Sequence, residues 1–88
     1  MTRYFFHSQD GHAFRDREGL ELVDLAQAER EAILSLGEMI RDRADELLGR
    51  LPFRIIVTDS SQNVLFSVIA HVENPPQGGA ILGKDAAT

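Results

Sequence analysis

Apolar and polar residues alternate in two rhythms along this chain, and the change of rhythm marks out its elements. Residues 3–8 are aromatic-rich and read as a strand. Asp10-Gly11 follows, a pair that favours the positive φ angles of a two-residue hairpin turn, so residues 13–16 are expected to return as a second strand. Arg17-Glu18-Gly19 is another turn signal, and residues 20–23 read as extended. The helix carries the clearest pattern. Leu25, Ala28, Ala32, Leu36, Met39, Ile40, Ala44 and Leu47 form an apolar stripe at helical spacing, with Glu29, Arg30, Glu38, Arg41, Asp42 and Asp45 between them. Asp24 is placed as N-cap, with Gln27 three residues on as in a capping box. Gly49 suits the position just past the last turn, and Pro52 prevents continuation. Gly37 in mid-helix costs ~1 kcal/mol relative to Ala, and close approach to a sheet beneath it is the expected compensation. Two β-branched runs, residues 53–58 and 64–71, flank the polar turn 59–63 and read as a second hairpin.

This order predicts an α+β fold: a two-layer ββαββ arrangement in which a small, mostly antiparallel sheet carries one helix on one face. Period two divides the strand residues between the faces. Tyr4 and Phe6, with Phe53, Ile55, Val57, Val64, Phe66 and Val68, are assigned to the helix side. The opposite face carries Phe5, Ile56, Leu65 and Ile69 among Arg3, His7, Arg54, Thr58, Ser67 and His71. A solitary two-layer domain would be polar there. Four large apolar groups within a polar rim predict an interface core, and hence a homodimer formed sheet to sheet or through a shared edge strand.

Composition narrows the setting. The 88 residues make one domain, residues 2–73, followed by a flexible Pro/Gly-rich tail, residues 74–88. Ile81 and Leu82 in that tail are an alternative cover for the open face. Nine basic and fourteen acidic residues give a formal charge of −5, which argues against binding a phosphate backbone. No cysteine is present, so disulfides, thiolate metal sites and cysteine nucleophiles are excluded. No apolar run reaches the ~20 residues of a membrane span. A cytoplasmic protein without nucleic-acid or membrane partners is expected.

Candidate chemistry is sparse. His7, Asp10 and His12 flank the first turn and are candidates for a metal, although their spacing matches no standard ligand motif. Asp16, Glu18 and Glu21 read as solvated loop charges, with Arg15 and Arg17 able to pair with Asp16 or Glu18. The serines lie in no nucleophile elbow, and no phosphate-binding glycine loop occurs. Catalytic residues are therefore none, and no cofactor is expected.

The segment Arg3-Tyr4-Phe5-Phe6-His7, with Asp10-Gly11, Asp16, Glu18-Gly19, Glu21-Leu22, Asp24-Leu25, Ala28 and Glu31-Ala32, resembles the signature of a family of short alphaproteobacterial, notably rhizobial, proteins classed as domain of unknown function 6894. The resemblance spans most of residues 3–72 and implies the same α+β domain, with no activity or site residue to carry over. A more distant likeness in element order is to the partial RNase H-like fold of HicB-type antitoxins, without their DNA-binding segment. The leading expectation is a non-enzymatic, self-associating interaction or regulatory module. The alternatives are a small-ligand or metal-binding protein at the first hairpin turn, or an antitoxin-like inhibitor of a basic protein partner.

Overall fold

The computed structural model describes residues 1–75. The expected tail and its Ile81 and Leu82 fall almost wholly within residues 76–88, outside the described residues. Six elements follow in order: β1 (Thr2–Gln9), β2 (Ala13–Phe14), β3 (Leu20–Leu22), α1 (Leu25–Leu47), β4 (Phe53–Thr58) and β5 (Val64–Ala70). The fold is α+β, with one helix over an antiparallel sheet of five strands, one more than the ββαββ order counts. The order is β2-β1-β4-β5, and β3 pairs with the other half of β1.

Antiparallel hairpins at both ends of the chain build this order. The β4–β5 turn is closed by Asp59, whose Oδ1 accepts from the Ser61 and Asn63 amides at 2.9 and 3.0 Å. The β1–β2 connection differs from the two-residue turn expected. Gln9 pairs with Ala13, so the loop has three residues, with Gly11 at φ +102°.

The helix begins as its sequence dictates. Asp24 Oδ1 accepts from the Gln27 amide at 2.9 Å, satisfying a donor that the first turn leaves open, and Gln27 Oε1 reaches back past the cap to accept from the Val23 amide at 2.7 Å. Gly49, at φ +84°, ends it. Arg43 departs from helical geometry at φ −125°, and its guanidinium reaches Asp10 at 3.5 Å and Glu46 at 3.1 Å.

The core lies between helix and sheet: Tyr4, Leu22, Ala28, Ala32, Leu47, Phe53, Ile55 and Val57 are buried, and Phe6, Leu36, Met39, Phe66 and Val68 pack against them. Assignments from periodicity fail at four apolar residues, of which Leu25 and Ala44 lie exposed in the first and last turns of the α1 stripe. Val64 is exposed, because β5 holds one extra residue between the partners of Val57 and Thr58, which puts Val64 opposite Thr58 on the far side. Ile40 is also exposed, being about 100° round the helix from Met39. Gly37 has nothing within 4 Å of where a Cβ would sit, so the expected close approach to the sheet is absent.

Candidate functional site

The side of the sheet away from the helix holds the polar chemistry of this chain. Strand pairing places Phe5, His7 and Gln9 of β1 opposite Thr58, Ile56 and Arg54 of β4, and Arg54 and Ile56 opposite Ile69 and Ser67 of β5. All four residues expected as an interface core share this face. They do not share one environment. Phe5 and Ile56 are half-buried, whereas Leu65 is 39% and Ile69 51% exposed.

The centre of the face is built around Asp16. Residues 15–19 separate β2 from β3 and bulge away from β1, which leaves the middle of β1 without a strand partner on that edge. Asp16 fills the gap. Its Oδ2 accepts from the Phe6 amide at 3.0 Å, doing the work of the missing strand carbonyl. Its Oδ1 accepts from the Glu18 and Gly19 amides at 3.0 and 3.1 Å. Its own amide donates to His7 Nδ1 at 3.1 Å. A backbone N–H can only donate, so this contact fixes the His7 tautomer: Nδ1 accepts, and Nε2–H donates to Thr58 Oγ1 at 2.9 Å. Burial of Asp16 pushes its pKa up, but the amides of Phe6, Gly19 and Glu18 and the nearby His7 outweigh this and hold it below the usual 3.8. Asp16 is thus part of the sheet rather than the solvated loop charge its sequence setting implied.

Gly19 closes this loop at φ +72°. A Cβ there would lie 2.9 Å from Arg3 Cγ, Phe5 Cε2 and the Tyr4 carbonyl oxygen. Only glycine meets both the angle and the space. Arg3 straps the loop from outside, donating to the Glu18 carbonyl at 2.6 Å and pairing with Glu21 at 3.4 Å.

The three metal candidates are not brought together. His7 faces away from the helix with both ring nitrogens engaged. Asp10 and His12 line a cleft on the helix side with Met39 and Arg43, and Asp10 is paired with Arg43. Among the described residues no group of three His, Cys, Asp or Glu side chains has the arrangement to hold a metal. Arg15 and Arg17, expected to pair with Asp16 or Glu18, make no ion pair among the described residues. They border the open face instead. Asp16, Gly19 and Thr58 escape a search for catalytic motifs. The available signal was an aspartate followed at two and three residues by Glu-Gly, the spacing at which a carboxylate caps the amides of its own turn.

Fold and site together define a small α+β domain with one sheet face covered and one bare. The family model described as Domain of unknown function (DUF6894) matches residues 3–71, and the chain belongs to that family. No curated protein and no solved structure matches the chain. Among the described residues, no helix is long and apolar enough to cross a membrane.

Proposed function

We propose that this protein is a non-enzymatic, cytoplasmic interaction module that associates with a second copy of itself through the free edge of β5. The observation that carries this reading is the character of that strand. Val64-Leu65-Phe66-Ser67-Val68-Ile69-Ala70 has no charge and no proline, and its outer edge is unpaired among the described residues. Exposed, uncharged edges of this kind are templates for further pairing. The sequence is also close to symmetric about Ser67. In an antiparallel pairing centred there, Leu65 of one copy meets Ile69 of the other on the open face. Phe66 meets Val68 on the helix side, so both layers continue across the two-fold axis. Phe5 and Ile56, also expected at the interface, lie inward of this edge and belong to its flank.

Support for a non-enzymatic role comes from the two carboxyls that the fold perturbs. Asp16, by the Phe6 amide of β1 and the amides of its own loop, and Asp59, by donors of its own turn, are both shifted down, away from the range useful for general acid–base work. The test is the solution mass of the full chain at about 100 μM, a concentration suited to micromolar association, for wild type and Ile69→Lys. A dimeric wild type and a monomeric, equally folded variant are expected. A monomeric wild type, or a variant that remains dimeric, contradicts the proposal.

A further inference from the structure

Two adjoining clefts of about 300 and 380 Å³ cross the open face and share His7, Arg15, Thr58 and Gln62. Together they form one trough between the loop after β2 and the turn before β5. The floor is His7, stacked on Phe5 with ring centroids 6.5 Å apart. One end of the trough is apolar, lined by Ala13 and Ile56. The other end holds Arg15, Arg17, Ser60 and Thr58.

Arg15 and Arg17 at the second end match Asp16 and Asp59 in formal charge but make no ion pair with them. Asp16 and Asp59 also line it, but the oxygens of Asp16 accept from the Phe6, Glu18 and Gly19 amides, and those of Asp59 from the Ser61 and Asn63 amides and the Asn63 side chain. Arg15 and Arg17 make no hydrogen bond or ion pair among the described residues. They are carried on a loop that Asp16 pins to β1, so they are presented at a fixed place beside a hydroxyl pair. The surrounding face bears Arg3, which pairs with Glu21 of β3, and Arg54 of β4. The trough therefore offers an anion two guanidinium groups whose donors are unused among the described residues. Its size is that of a small-molecule site. Two arginines fit a single oxyanion head by forked hydrogen bonds, whereas a polynucleotide needs a longer basic track.

We infer that the trough binds a small organic oxyanion, a carboxylate or phosphate monoester carried on an aromatic or short acyl body. Arg15 and Arg17 hold the head, with the Thr58 and Ser60 hydroxyls beside it, and the body lies across His7 toward Ile56 and Ala13. The trough sits over β1 and β4, away from the free edge of β5, so binding is independent of self-association and the Ile69→Lys protein is expected to bind equally well.

The experiment is a titration of the full-length ¹⁵N-labelled chain with phenyl phosphate, benzoate and inorganic phosphate, followed through backbone amide shifts. Saturable shifts centred on His7, Arg15, Thr58 and Gln62 are expected with at least one of the two organic anions, at a dissociation constant of about 1 mM or below. The tighter of the two identifies the head group. Joint replacement Arg15→Ala and Arg17→Ala, at exposed positions, should weaken binding by about tenfold or more. The inference is overturned by no saturable shift up to about 10 mM, by undiminished binding in the double variant, or by inorganic phosphate binding as tightly as phenyl phosphate.

Discussion

The two edges of this sheet are built in opposite ways. On one side β2 and β3 together contribute only five paired residues, interrupted by a bulged loop. That loop is pinned by Asp16, closed by Gly19 and strapped by Arg3. On the other side β5 runs for seven residues without a charge or a proline, and its one irregularity, the extra residue at Leu65, falls near its beginning. Natural sheets blunt edges with short strands, bulges and inward-turned charges. The first edge uses all three devices, and the second uses almost none. The contrast teaches that this chain carries the means to close an edge and, among the described residues, leaves one open, which is why we place self-association at β5.

Removing the devices of the closed edge should have the largest effects. Gly19→Ala introduces a Cβ at positive φ, 2.9 Å from the Tyr4 carbonyl, and is expected to lower stability by about 3 kcal/mol in urea denaturation. An alanine variant that keeps wild-type stability would show that the loop can move and that the edge is not held there. Asp16→Ala leaves the Phe6 amide, half-buried in the middle of β1, without its acceptor, and should lower stability by about 2 kcal/mol.

The Asp16 contribution also has a pH signature. Its carboxyl is held below the ordinary 3.8, so folding favours the ionised form. The stabilisation is complete above the unfolded-chain value and is lost as pH falls through the lower, folded one. The stability gap between wild type and Asp16→Asn should therefore narrow as pH drops below about 4. A gap that stays constant to pH 2 would mean that the amide serves as well as the carboxylate.

At the open edge the expected effect is on association rather than on folding. Ile69→Lys should raise the dimer dissociation constant by at least about tenfold, near 1.4 kcal/mol, while the thermal midpoint extrapolated to low protein concentration stays within error. The smallest effect is at Gly37, which touches neither edge. Gly37→Ala meets open space and should stabilise the helix by about 0.5–1 kcal/mol. A destabilised variant would reveal a close neighbour for the helix that the protomer lacks.

The parts of the fold that follow local rules were legible in the sequence. Asp24 and Gln27 cap the helix as their spacing says, Gly49 ends it, and β4 spans Phe53–Thr58 as its pattern indicates. Tyr4 and Phe6 face the helix because alternation along a strand is strict. Features that depend on two segments meeting were not legible. The extra residue in β5 moved Val64 to the exposed side, since a bulge breaks alternation without leaving a mark in composition. Asp16 looked like a surface charge because its acceptor role is defined by the Phe6 amide, ten residues earlier. His7, Asp10 and His12 looked adjacent because they crowd one turn, but the sheet separates His7 from the other two. The mid-helix glycine invited a packing explanation, and the helix presents it to open space instead.

Hydrogen exchange at the β5 amides, measured on the full chain at several concentrations, tests the edge assignment most directly. Amides in the β1–β4 ladder should be protected at every dilution. Those of residues 65–69 that point away from β4 should be protected in concentrated samples and exchange freely once the protein is dilute. If those outward amides exchange freely at all concentrations, while the chain keeps the 9.8 kDa mass of a single copy, β5 is not where this protein meets itself.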